Sequence, residues 1–333
     1  MNVWKGSTVS VRTRGTRLRR GVLAAMITAA LCGPVPAAAQ PRTPAPAPAA
    51  LPDLPAATLD VRYTANRGNI AEAADMAEAA GDGQRERALR GLAASGRHFL
   101  SFDGRGEGRA VEVLGDLATA ERIAVMVPGA DTTLDTFDGP SSRIGGAARS
   151  LYEQIRRQAP GTRTAVVAWL GYAAPKTIST DVLTTGRAED GARELRGFVS
   201  SVERLNSGAR VSLMCHSYGT VVCSRAARGL AVADIAVYGS PGTAADSLAE
   251  WGTTARVWAG RGERDWIAHV PNASISVLGT TIGFGADPTS RDFGARAFAT
   301  GDAGHSDYLA PDSVSLKNLA RIALGDAWAV TGG

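Results

Sequence analysis

Short runs of apolar, often β-branched residues alternate along this chain with longer segments whose apolar positions recur every three or four residues. The short runs fall at residues 110–114, 122–127, 164–169, 211–214, 235–238 and 256–259. Several are apolar almost throughout, which is the pattern of strands covered on both faces. Between them, Ala188, Ala192, Leu195, Val199 and Val202 are spaced 4-3-4-3 and mark one face of a helix. Residues 142–158 and 218–230 also read as helices. Strand and helix in alternation predict an α/β fold, a mostly parallel central sheet with helices on both faces. An Ala- and Glu-rich helical stretch at residues 69–95 precedes this core. It is expected either as an N-terminal cap or as a helical arm packed beneath the sheet.

The ends of the chain read differently. Residues 1–39 have the form of an export signal: a basic segment ending at Arg20, an apolar run over 21–33, and Ala37, Ala38 and Ala39 before Gln40. That run is shorter than the roughly 20 residues a membrane span needs. Arg19 and Arg20 also fit a twin-arginine signal. Cys32 follows Leu31, a larger residue than lipoprotein signals usually carry, so a soluble exported protein is expected, secreted or held at the cell envelope. Residues 40–57, rich in Pro and Ala, are expected to be an extended, unpacked tether. One domain is expected over 58–333, since no second linker or internal repeat interrupts it.

Charge changes meaning once the signal is set aside. The whole chain carries a formal charge of +4, but six basic residues and no acid lie in its first 39 residues, which leaves −2 on the remainder. The basic balance therefore belongs to the leader, and nothing argues for nucleic acid as a partner. Three cysteines are too few for a disulfide framework. Cys215 and Cys223 are eight apart across a strand-to-helix turn and are expected as two buried free thiols. The sequence has no His-x-x-x-His pair, Cys-x-x-Cys or phosphate loop, so neither a metal nor an organic cofactor is expected. Oligomeric state leaves no mark on the pattern.

The segment that carries chemistry is Cys215-His216-Ser217-Tyr218-Gly219, at the junction of the 211–214 strand and the helix after it. It matches the G-x-S-x-G elbow of α/β-hydrolases, with Cys215 in place of the first glycine. A serine placed there needs a base, a group that orients the base, and donors for an oxyanion. His269 and His305 are the two histidines that follow. His305, in a glycine-bearing late loop, is the better placed base. Asp265 follows the 256–259 strand and is the expected acid, with Glu263 and Asp246 as rivals and helix N-capping as its alternative role. The oxyanion donors are expected to be the amides of Tyr218 and of Gly129 or Ala130, because Pro128 has no N–H. His216 is expected to point into packing, with a reach that also admits the pocket.

Taken together, these segments resemble a family of largely uncharacterised actinobacterial α/β-hydrolases. The resemblance rests on Phe102-Asp-Gly-Arg-Gly-Glu-Gly-Arg109, Val127-Pro-Gly129, Trp169-Leu-Gly-Tyr172 and His216-Ser-Tyr-Gly219, followed by Gly239-Ser-Pro-Gly242, Asp265-Trp-Ile267, Phe293-Gly-Ala295 and His305. It spans about residues 102 to 325. It implies an α/β-hydrolase fold and serine-hydrolase chemistry on a small or lipid-like acyl substrate, without naming that substrate. On this analogy Trp169 and Tyr172 line the pocket; core packing is the alternative for Trp169. The expectation is an esterase-like enzyme with Ser217, His305 and Asp265 as its triad. A non-catalytic binding module on the same fold and an envelope acyltransferase are the competing readings.

Overall fold

A computed structural model describes residues 43–51, 56–177, 186–270, 274–277 and 280–333. The expected export signal lies outside the described residues. Strand β1 (His98–Asp103) opens the sheet, followed by β2 (Arg109–Gly115), β3 (Arg122–Val127), β4 (Thr164–Leu170), β5 (Arg210–His216), β6 (Asp234–Tyr238), β7 (Arg256–Gly260) and, after a separate hairpin, the two-residue β10 (Arg296–Ala297). They form one eight-stranded sheet in the order β1-β2-β4-β3-β5-β6-β7-β10. The β1–β2 and β2–β4 pairs are antiparallel and the others parallel. The hairpin strands β8 (Ser274–Val277) and β9 (Thr280–Gly283) pair antiparallel with each other.

Alternation along each central strand sorts its residues onto two faces. On β5, Val211, Leu213 and Cys215 join one core, while Met214 joins the other. The first core receives α4 (Gly186–Leu205) and α5 (Gly219–Ala226), through Leu195, Val199 and Val202 and through Val221, Val222 and Cys223. The second receives α3 (Ile144–Gln158) and α6 (Val314–Leu324), through Leu151 and Ile155 and through Leu316 and Leu319. Both faces of β3 to β6 are thus dry, which is why their sequences are apolar almost throughout.

The N-terminal helical stretch starts earlier than its sequence suggests and forms two helices, α1 (Leu59–Ala79) and α2 (Gly83–Leu92). Asp82 caps α2 by accepting a hydrogen bond from the Arg85 amide at 3.0 Å. The pair packs at the β1 edge: Ile70, Ala73, Leu89 and Leu92 share a core with Phe99 and Phe102. The two helices thus cover the β1 edge of the sheet. The proline-rich stretch does not behave as an unpacked tether where it is described. Residues 43–51 have no regular secondary structure, yet Thr43 donates to Asp82 at 2.5 Å and Asn69 to the Ala47 carbonyl at 2.8 Å. Neighbouring Asn and Asp side chains hold the extended chain against the helices. Among the described residues, no helix is long and apolar enough to cross a membrane.

Sheet topology also locates a crevice. From β3 the chain moves to β4 on one side, and from β5 to β6 on the other. The carboxyl ends of β3 and β5 therefore flank the point where strand order reverses, the place where open α/β sheets bind ligands.

Candidate active site

Ser217 stands at that crevice, between the end of β5 and the start of α5. Its backbone is left-handed, with φ 52°, a conformation that costs an L-residue energy and is held only when its surroundings fix it. Here the Ser217 amide donates to the Tyr238 carbonyl at 3.1 Å, and the Thr220 amide donates to the Ser217 carbonyl at 2.9 Å. Two glycines clear the space around it. A Cβ on Gly219 would lie 2.5 Å from the Val127 carbonyl oxygen, and one on Gly129 would lie 2.7 Å from the Ser217 Cβ. Neither position admits a side chain, so strand, helix and the loop after β3 meet with only backbone between them.

Cys215 occupies the position where the elbow usually has glycine. It is not a free thiol: Cys215 and Cys223 form a disulfide with their Cα atoms 6.5 Å apart. The expectation of two thiols fails because the sharp turn at Ser217 folds α5 back along the sheet face on which Cys215 lies. Eight residues of sequence thereby become a bridgeable distance. The side chain faces α5, and the bond ties the strand below the serine to the helix above it.

The loop between β10 and α6 brings His305 to the serine. His305 Nε2 lies 3.0 Å from Ser217 Oγ, and Nδ1 lies 2.9 and 3.1 Å from the two Asp265 oxygens. With a carboxylate at Nδ1, the proton of neutral His305 sits on that nitrogen, which leaves Nε2 to accept from the serine hydroxyl. Asp265 is buried, and burial alone would raise its carboxyl pKa. Hydrogen bonds from His305, the Tyr308 hydroxyl and the Ile267 amide outweigh that and hold it below the usual carboxylate range. Its N-capping and imidazole-facing roles coexist, because one oxygen serves the amide of Ile267 as well as His305. The rivals are elsewhere: His269, Glu263 and Asp246 are all exposed.

Residues 103–275 match the model of an Alpha/beta hydrolase family. The chain belongs to that family. A relative in Mycobacterium tuberculosis, itself an uncharacterised protein, is 31% identical over 247 residues, covering 66% of this chain and 37% of the relative. Another uncharacterised protein, from Mycobacterium bovis, is 33% identical over 136 residues, covering 39% of this chain and 51% of its own length. The chain thus spans between about a third and a half of the length of these curated relatives. Among solved structures, the esterase LipW from Mycobacterium marinum overlaps 78% of this chain and 91% of its own, at 15% identity and a TM-score of 0.39. An a/b serine hydrolase without lid from Xanthomonas campestris overlaps 70% and 95%, at 16% identity and a TM-score of 0.40.

In this α/β hydrolase, Trp169 and Tyr172, expected on analogy to line the pocket, are buried behind it instead. Tyr172 is buried and donates to the Pro128 carbonyl at 2.7 Å, fixing the loop that approaches Ser217. Trp169 stacks on Tyr172 within the core, with ring centroids 5.8 Å apart. Its edge borders a surface groove of about 1110 Å³ whose walls, among them Leu100, Val111 and Phe198, include none of Ser217, Asp265 or His305. His216 turns into packing against Tyr238, and its Nε2 lies 2.8 Å from the His305 carbonyl oxygen. Since a carbonyl only accepts, His216 carries its proton on Nε2. Burial lowers its pKa to about 3, with the neighbouring His305 adding to the effect.

Tyr308 had no signal in the sequence, being one aromatic residue in a polar loop. Its hydroxyl donates to Asp265 at 2.6 Å and accepts from the Gly262 amide at 2.9 Å, so it joins the loops that carry Asp265 and His305. The loop after β3 is fixed as well. The Asp131 amide donates to the Pro175 carbonyl at 2.9 Å, and the Asp131 carboxylate accepts from the Thr177 amide at 2.9 Å. Among the described residues no cluster of three or more His, Cys, Asp or Glu side chains is arranged to hold a metal ion.

Proposed function

We propose that this α/β hydrolase is an exported serine hydrolase that cleaves an ester or related acyl bond through an acyl-enzyme. The observation that carries the reading is the hydrogen-bonded chain Ser217 Oγ–His305 Nε2, His305 Nδ1–Asp265, with the serine on a strained elbow. In the first half-reaction Ser217 Oγ bonds to the acyl carbon while its proton passes to His305 Nε2. Asp265 keeps the imidazole in the correct tautomer and stabilises its charged form. The amide of Tyr218, at the N-terminus of α5, and that of Gly129 or Ala130 receive the oxyanion. The leaving group departs with the proton from Nε2. Water then repeats the sequence on the acyl-enzyme and restores the serine.

Support for export comes from the leader pattern of residues 1–39 and from the Cys215–Cys223 bond, since disulfides persist mainly in oxidising compartments. The catalytic reading is tested by turnover of short p-nitrophenyl esters. Ser217→Ala is expected to reduce kcat by about 10⁴-fold or more, as removal of such a nucleophile does elsewhere. Wild-type turnover that survives in Ser217→Ala would exclude the mechanism.

A further inference from the structure

Trp266 is a large apolar side chain that the triad chemistry leaves unexplained. It follows Asp265 directly and is 53% exposed. The short turn over Trp266–His269 holds it, and Asp265 caps that turn by accepting from the Ile267 amide at 2.9 Å. Its ring packs on the imidazole of His305, with centroids 4.7 Å apart and planes at 47°. The other exposed large hydrophobic residues among those described are Val61, Val314 and Trp328. Of the four, Trp266 is the one in ring contact with a triad side chain. The imidazole also touches His216, with centroids 4.9 Å apart, but that ring is packed against Tyr238 and Tyr308. Trp266 is therefore the solvent-facing aromatic surface beside the base.

Position gives this surface a use. Collapse of the tetrahedral intermediate breaks the bond between the acyl carbon and the leaving oxygen, and that oxygen takes the proton from His305 Nε2. The departing atom must then lie within hydrogen-bond reach of Nε2, with the rest of the leaving group beside the imidazole. The acyl carbonyl instead points toward the Gly129–Ala130 loop and the start of α5. An indole held on the imidazole side offers a flat apolar face to the leaving group and nothing comparable to the oxyanion.

Resting on the serine-hydrolase reading, we propose that Trp266 is the leaving-group platform of this site. Its substrate class is acyl esters whose alcohol portion carries a flat apolar ring. The indole stacks on that ring during acylation and plays no part once the alcohol has left.

The test compares phenyl acetate with ethyl acetate, which share one acetyl-enzyme. They differ in the acidity as well as the ring of the leaving alcohol, so each variant is scored against the wild type on the same ester. For Trp266→Ala, the loss in kcat/KM is expected to be roughly ten-fold greater with the phenyl ester than with the ethyl ester, the scale of one aromatic contact. Trp266→Phe should recover most of that difference, and both variants should melt close to wild type, since the side chain is half in solvent. Deacylation, read from the phase after a burst, should keep the wild-type rate. Equal losses on the two esters would overturn the proposal and make Trp266 a shield for the imidazole; no loss on either would overturn it too. A wild-type protein that neither turns over esters nor reacts with a fluorophosphonate would instead remove the serine-hydrolase reading beneath it.

Discussion

His216 lies directly before Ser217 and serves the site through the backbone and rings around it. Its Nε2 holds the backbone of the loop that carries His305, and its ring fills the space against Tyr238. That service has a pH limit. Burial lowers its pKa from 6.5 to about 3, so the folded protein keeps it neutral while the unfolded chain protonates it. The contribution to stability is complete above about pH 6.5 and is lost as pH falls toward 3, by at most about 1.4 kcal/mol per pH unit. Between pH 6.5 and 4.5 this loss precedes protonation of most carboxylates. His216→Gln, whose amide can still donate to the His305 carbonyl, is expected to flatten the fall in Tm across that window. An unchanged slope in the variant would show that another group governs it.

At the scale of elements, the elbow and its disulfide act as a unit. Closing an eight-residue loop contributes about 2–3 kcal/mol in the chain-entropy account. The pair Cys215→Gly with Cys223→Ala restores the usual glycine of the elbow and removes the bond. It is expected to lower stability by about that amount while retaining ester turnover, because the serine conformation is also fixed by Gly129, Gly219 and the Ser217–Tyr238 bond. Urea denaturation and activity of the folded protein check the two halves separately; loss of activity at unchanged fold would make the disulfide part of the serine's support.

How far these elements could be read from sequence follows from their surroundings. The central strands β3 to β6 are apolar because helices cover both faces, and their positions follow from that pattern alone. Strand β1 does not show it, because it lies at an edge and its register shifts between Phe99 and Ser101. Helix α5 ends at Ala226, earlier than its small residues suggest, and the chain turns through Gly229 with φ 72°. That Ser217, Asp265 and His305 meet follows from their chain order and their places after strands. The disulfide, Tyr172 on Pro128 and Tyr308 on Asp265 do not follow from the sequence, since each joins segments that only the folded elbow and loops bring together.

Across the whole molecule, the N-terminal helices are connected to the site through one buried cation. Arg85, on α2, pairs with Asp135 and donates to the carbonyls of Gly104 and Gly106, each at 3.1 Å. Asp135 lies in the short turn Leu134–Thr136, just beyond the loop that carries Gly129 and Ala130. The helix pair at the β1 edge therefore braces the same loop that Tyr172 supports from the core. Arg85→Met leaves a partly buried carboxylate and two carbonyls without their partner, a change expected to cost about 3 kcal/mol. If the amide of Gly129 or Ala130 receives the oxyanion as proposed, kcat for the folded variant should fall more than KM rises. A lower Tm with unaltered kinetics would confine Arg85 to stability.

The proposed chemistry depends on Ser217 being a nucleophile under the control of His305. Labelling with a fluorophosphonate, followed by intact mass and peptide mapping, tests this most directly. The expected result is a single adduct on Ser217 in the wild type, none in Ser217→Ala, and markedly slower labelling in His305→Ala. A folded wild-type protein that acquires no adduct, or one whose adduct persists in Ser217→Ala, would contradict it.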